Sequence, residues 1–188
     1  AQGMAERQLV LFMDSGDTVV DESTEMRDTP GGVVQSFAFH EGAREGLLTL
    51  RDAGYTLALV ADGLQASFDR MYNEHHFPGG IFAARAISET VGAPKPSPKM
   101  FQAAFDALGL QRADARRVIM VGNNVMRDIA GANRFGIRSV LMTWSPRYPM
   151  TPKRDDERPT YRVGSFPELL ALVDRLEQAL TAPESQPD

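Results

Sequence analysis

The 188-residue chain contains no cysteine, which removes disulfides, thiolate metal sites and cysteine nucleophiles together. Histidine is nearly as scarce. His40, His75 and His76 are the full set, and none stands at a ligand spacing from a carboxylate or a second histidine that suggests a metal site. No apolar run approaches the ~18–20 residues of a membrane-spanning helix, and no leader pattern is visible, so the cytoplasm is the expected location. Positive charge is in deficit: 20 Lys and Arg face 25 Asp and Glu, a net charge of −5. That balance argues against a nucleic-acid or anionic-membrane partner, both of which select basic surfaces. With 43% hydrophobic and 24% charged residues, what remains is an ordinary globular composition, long enough for one domain with a full core.

Short apolar runs alternate with amphipathic stretches along this chain. Leu9–Met13 reads as a first strand. In "EGAREGLLTLRDAG", Ala43, Leu47, Leu48 and Leu50 fall near one helical face and Gly54 supplies the stop. Tyr55–Val60 reads as a second strand, "LQASFDRMYNEHHF" as the helix after it, and Ile81–Ser88 contains a third strand. "SPKMFQAAFDALGL" is a helix with Ser97 as N-cap and Pro98 at the first position, where its missing N–H costs nothing. "RVIMVG" is a fourth strand, "MRDIAGANRFG" a helix closing on Gly136, "IRSVLMT" a fifth strand, and "SFPELLALVDRLEQAL" a final helix capped by Ser165. The charged, proline-containing "RYPMTPKRDDERPTY" reads as a solvated loop.

This alternation predicts a Rossmann-like three-layer α/β/α domain around a mostly parallel, five-stranded sheet. The domain should span residues 9–180, with a short insert at about 19–40. Residues 1–8 form an extension, of which 1–3 are read as an expression remnant, and 181–188 a disordered tail.

In such sheets the ligand crevice lies beyond the carboxyl ends of the strands. The polar residues there are Asp14 to Thr18 after the first strand, Ala61 to Gly63 after the second, and Asn123 and Asn124 after the fourth. Lys95 sits in "GAPKPSP" before a helix. Taken singly each has a plain structural alternative. Asp14 can be a nucleophile, a metal ligand or the start of an Asx-turn. Lys95 can be an exposed loop lysine, and Asp128 a residue favoured by the helix dipole. Trp144 reads as packing.

Taken together, "DSGDT", "LALVADG", "GAPKPSPKMF" and "VGNNVMRDIAGANRFG" resemble the four ordered motifs of the haloacid dehalogenase-like hydrolases, over roughly Leu9 to Leu141. The resemblance implies phosphoryl transfer through an aspartyl-phosphate, with Asp14 as nucleophile. It implies Mg²⁺ held by Asp14, the Gly16 carbonyl, Asp128 and Asn123. Lys95 would neutralise the phosphate and keep Asp14 ionised, with further phosphate contacts around Ala61, Asp62 and Gly63.

Three positions depart from the family pattern. Gly16 stands where the family carries the aspartate that serves as general acid/base, and an aspartate appears one place later, at Asp17, which reads equally as a substitute general base, a hydrogen-bond acceptor within the loop or a residue of the outer metal shell. Ala61 replaces a hydroxyl residue, and Asn123 replaces a leading aspartate, so the cation should bind more weakly. The insert is too short for a helical cap; it is expected to be a loop with a short β-ribbon around Gly31 and Gly32. An open crevice suits a phosphorylated small molecule or a phosphoprotein, or one closed by an oligomer partner. The expected function is a Mg²⁺-dependent phosphatase, the alternatives being a non-catalytic phospho-ligand or protein binder and a metal-independent dehalogenase-type hydrolase.

Overall fold

The computed structural model describes residues 6–183. The expected remnant at 1–3 and residues 184–188 of the expected tail lie outside the described residues.

The elements in chain order are β1 (Val10–Met13), β2 (Val20–Arg27), β3 (Val34–Phe39), α1 (Ala43–Asp52), β4 (Thr56–Ala61), α2 (Gln65–Met71), β5 (Ala84–Ile87), α3 (Ser88–Val91) and α4 (Pro98–Leu108). Then come β6 (Val118–Gly122), a π-helical turn (Val125–Ile129) running into α5 (Ala130–Phe135), β7 (Arg138–Met142), β8 (Tyr161–Val163) and α6 (Phe166–Thr181). Six strands form one sheet in the order β5-β4-β1-β6-β7-β8, every pairing parallel.

The apolar runs are explained by burial on both faces. Along β1, Leu11 and Met13 belong to the core shared with α1 and α6, whereas Val10 and Phe12 belong to the core shared with α4 and α5. Each such buried side chain contributes about 1.5–3 kcal/mol relative to exposure. The chain builds outward from β1 to β4 and β5, then reverses to β6, β7 and β8 on the other side. The reversal opens a crevice at the carboxyl ends of β1 and β6, the switch point where doubly wound sheets bind ligands.

Four local expectations change. The sheet has six strands rather than five, because Tyr161–Val163 adds a three-residue edge strand at the end of the segment read as a loop. So short a strand leaves no alternation for a sequence to display. The rest of that segment is not a free excursion. It contains a 3₁₀ turn at Asp155–Glu157, and Asn133 donates to the carbonyls of Asp156 and Arg158 at 2.8 Å each. Helix α2 stops at Met71 instead of continuing to Phe77, because Asn73 Oδ1 accepts from the His76 backbone N–H at 3.0 Å and so offers the chain a turn in place of another helical bond. The helix read over "MRDIAGANRFG" begins as a π turn before its α-helical part.

The insert is a β-hairpin of β2 and β3, antiparallel and irregular. Five residue steps from Asp21 to Met26 face two from Ala38 to Ser36, a wide bulge in β2. Asp21 and Thr24 hold it in place: Asp21 Oδ1 accepts from Ser23 N at 3.0 Å, and Thr24 Oγ1 accepts from Ala38 N at 2.8 Å. Bulges beside clefts re-aim side chains, and Glu22 in this one lines the crevice.

Candidate active site

Asp14 is the first residue past β1. Its N–H still bonds the Val121 carbonyl of β6 at 3.0 Å, so it leaves the sheet at its centre. The chain then folds into a tight loop in which the Ser15 carbonyl accepts from Thr18, Val19 and Val20 at 3.2, 2.9 and 3.0 Å. Thr18 Oγ1 donates to Asp14 Oδ2 at 3.1 Å.

Lys95 reaches this carboxylate from the loop ahead of α4. Its own N–H is anchored to Asp62 Oδ1 at 2.9 Å. Its Nζ donates to Asp14 Oδ1 at 2.9 Å, Asp128 Oδ1 at 2.6 Å and the Val60 carbonyl at 2.8 Å, using all three donors of the ammonium. The side chain is 1% exposed. Burial alone would lower its pKa, but Asp128, Asp14 and Asp62 outweigh burial and hold it above the usual lysine range, so it stays charged. The exposed-loop reading is thereby excluded.

Asp128 comes from the π turn, which carries its carboxylate beneath the end of β6. Oδ2 accepts from Asn124 N at 3.1 Å. Burial first, then the Asp14 charge, push its carboxyl up, against the pull of Lys95. Gly122 makes room for it: a Cβ there would lie 2.6 Å from the Asp128 Cβ and overlap the carboxylate. Asn124 is committed to the turn as its N-cap, accepting from Met126 N and Arg127 N at 3.0 and 3.1 Å.

Asn123 is buried against the nucleophile loop. With its nitrogen toward them, its amide donates to Asp14 Oδ2 at 3.1 Å and the Gly16 carbonyl at 3.3 Å. With its oxygen toward them, that oxygen lies 3.1 Å from Asp14 Oδ2 and 3.3 Å from the Gly16 carbonyl oxygen. Among the described residues no three acidic or histidine side chains form a metal cluster, but carbonyl and amide oxygens complete this set. Asp14, the Gly16 carbonyl, Asn123 and Asp128 thus fit a hard cation that keeps several waters. Charge agrees: Asp14 and Asp128 share one ammonium, so the buried cluster carries excess negative charge that a cation would offset.

Two groups of expected site residues are placed outside the cluster around Asp14. Asp17 does not line the crevice and serves as a hydrogen-bond acceptor in the loop. It sits at φ 51°, a left-handed conformation that aspartate tolerates, and both of its carboxylate oxygens are engaged outside the cluster. Oδ1 accepts from the Glu22 backbone N–H at 2.9 Å and Oδ2 is ion-paired with Arg147. The second group is the set of phosphate-binding residues expected after β4. Ala61 is fully buried, and the Gly63 N–H donates to Ser88 Oγ at 2.8 Å. Asp62 lines the crevice with a carboxylate.

Three crevice residues escaped the sequence reading: Glu22, Arg127 and Tyr148. Arg127 precedes Asp128 on the π turn and is 53% exposed at the mouth, Nη1 lying 3.9 Å from Asp62 Oδ2. Tyr148 comes from the segment read as a solvated loop. Glu22 comes from the hairpin. Burial, then the charges of Asp17, Glu25 and Asp14, push its carboxyl up to about 7, with Arg147 opposing. Period-two spacing from buried Val20 would have put Glu22 on the inward face, had β2 been read as a strand. Trp144 stacks on His40 with ring centroids 3.7 Å apart and takes the packing role expected of it.

The sequence profile described as haloacid dehalogenase-like hydrolase matches residues 13–142. The chain is 34% identical over 133 residues to the glyceraldehyde 3-phosphate phosphatase of Methanopyrus kandleri, covering 69% of this chain and 54% of that protein. It is 30% identical over 136 residues to the phosphoserine phosphatase of Thermus thermophilus, covering 71% and 50%. The chain thus spans about half the length of these curated relatives. Among solved structures it superposes on the HAD-hydrolase YfnB of Bacillus subtilis bound to magnesium, with a TM-score of 0.66 at 16% identity, over 90% of this chain and 100% of that one.

Proposed function

Because the chain belongs to the haloacid dehalogenase-like hydrolases, we propose that it is a Mg²⁺-dependent phosphatase cleaving a phosphate monoester through an aspartyl-phosphate on Asp14. The observation that carries this reading is the Lys95 ammonium bound to Asp14 Oδ1 at the switch point of the sheet. A carboxylate nucleophile must be ionised, aimed and surrounded by positive charge as the phosphoryl group's charge spreads in the transition state.

In the first step an Asp14 oxygen attacks phosphorus and the ester P–O bond breaks. In the second, water attacks phosphorus, phosphate leaves and the Asp14 carboxylate returns. Lys95 holds Asp14 in its reactive form through both. Arg127 meets the substrate's anionic end at the mouth. A bound Mg²⁺ on the Asp14, Gly16, Asn123 and Asp128 oxygens would add Lewis-acid stabilisation of the phosphoryl oxygens. The phosphatase names of the relatives support a small phosphate monoester over a phosphoprotein.

The test is turnover of p-nitrophenyl phosphate with Mg²⁺, with EDTA and with D14N. Metal-dependent turnover abolished in D14N is expected. Turnover that survives D14N overturns the nucleophile, and absence of any turnover overturns the phosphatase.

A further inference from the structure

We infer that Glu22 is the proton donor to the leaving oxygen and the proton acceptor from the attacking water. The inference rests on the phosphatase reading above, and concerns a residue that none of the strand-end motifs contains.

The chemistry requires such a group. When the ester bond breaks, its electron pair goes to the leaving oxygen, and an alkyl alcohol leaves well only if a proton arrives with it. In the second step the attacking water must lose a proton as the Asp14–phosphorus bond breaks. One carboxyl group performs both tasks, giving its proton first and recovering one from water, so that the cycle closes with alcohol and phosphate as products.

Elimination among the titratable groups lining the crevice leaves one candidate, Arg127 being excluded because a guanidinium does not give up its proton. Asp14 is the nucleophile. All three Lys95 donors are engaged. Both Asp128 oxygens are engaged, one by Lys95 and one by the Asn124 N–H. Asp62 Oδ1 anchors the Lys95 backbone and Oδ2 faces Arg127. A phenol such as Tyr148 keeps its proton far above neutral pH and cannot accept one from water.

Glu22 is placed differently. Its Oε2 lies 3.4 Å from Arg147 Nε, while among the described residues no donor reaches Oε1. That oxygen hangs directly over Gly16, in the loop that carries the nucleophile. A Cβ built on Gly16 would overlap it and stand 2.7 Å from the Glu22 carboxyl carbon. The space that a side chain at position 16 would fill is therefore filled by Glu22. Two features hold it there. Glu22 lies within the β2 bulge, where the ladder to β3 is interrupted, and Asp17 Oδ1 accepts from the Glu22 backbone N–H at 2.9 Å. Asp17 is a positioning residue in this arrangement.

The experiment compares wild type and E22Q, isosteric and without an exchangeable carboxyl proton, on two probes. On glycerol phosphate, whose alcohol needs a proton to leave, E22Q should lose roughly 10²–10⁴-fold in kcat. On p-nitrophenyl phosphate, rapid mixing should still show a stoichiometric burst of p-nitrophenolate, followed by slow turnover as phosphorylated enzyme accumulates. Mg²⁺ affinity measured by calorimetry should be unchanged. The double variant G16D/E22A, in which the emptied space receives a carboxyl from position 16, should recover turnover lost in E22A. Equal kcat for E22Q and wild type on glycerol phosphate overturns the inference. So does a loss that is equal in the burst and steady-state phases and accompanied by weakened Mg²⁺ binding, since Glu22 would then be a metal or structural residue. Inactivity of the wild type on p-nitrophenyl phosphate would instead overturn the phosphatase reading itself.

Discussion

Replacing Lys95 by methionine keeps the unbranched stem of the side chain but ends it one atom short, and removes its charge from a point 2.6 Å from Asp128 Oδ1 and 2.9 Å from Asp14 Oδ1. At an effective dielectric of ~20 each attraction is gross about 6 kcal/mol. Most of that offsets the cost of burying the three charges. What remains when one partner is deleted is the penalty of stranded carboxylates, about 3–5 kcal/mol. Against a typical total of ~5–15 kcal/mol, the variant should be folded but fragile at pH 8. The loss should depend on pH with a defined sign. Burial and the Asp14 charge already hold the Asp128 carboxyl above its unfolded value, and without the opposing pull of Lys95 it rises further, so the native variant keeps its proton to higher pH than the wild type. Stability then falls as pH rises from the unfolded carboxyl range through the raised folded values. The deficit relative to wild type should therefore be small near pH 5 and larger at pH 8. Urea unfolding of both proteins in EDTA at the two pH values measures it. A deficit below about 1 kcal/mol at pH 8, or one that does not change with pH, would refute the claim that Lys95 neutralises a buried pair.

The remaining predictions concern the crevice. Asn123→Asp restores a negative charge beside Asp14 and should tighten Mg²⁺ roughly tenfold or more, read by calorimetry. Gly122→Ala forces a methyl group into the Asp128 carboxylate and should cost about 1–3 kcal/mol in unfolding experiments while weakening Mg²⁺ binding; a variant with normal affinity would mean that Asp128 is not a ligand. Arg127→Ala should raise KM for a phosphate ester about tenfold with kcat little changed, because the side chain is half-exposed and meets the substrate at the mouth.

The parts of the site written in consecutive residues were legible in the sequence. An apolar run ending at Asp14, a lysine in a proline-rich loop ahead of a capped helix and an aspartate after the fourth strand all converge as expected, because a parallel sheet must gather its strand ends. Residues that act through tertiary packing were not legible. Asp17 lies one position from the expected acid, yet it adopts a left-handed conformation, is absent from the crevice lining and bonds to Glu22 and Arg147 instead. Glu22 reaches the vacated space only because β2 bulges, and the pairing register that defines the bulge involves residues on another strand. Arg147 and Tyr148 lie in a stretch whose charge and proline content resemble a solvated loop; its attachment depends on Asp17 and on Asn133, which no local pattern reveals. The sixth strand was too short to announce itself.

The central claim is that phosphorus is transferred to Asp14. Its most direct measurement is acid quenching during turnover of p-nitrophenyl phosphate, digestion, and the mass of the peptide that carries Asp14. The account predicts one phosphoryl group on that residue, in greater amount in E22Q than in wild type. Turnover with no phosphoryl group on the protein, or with one on any other residue, would contradict it.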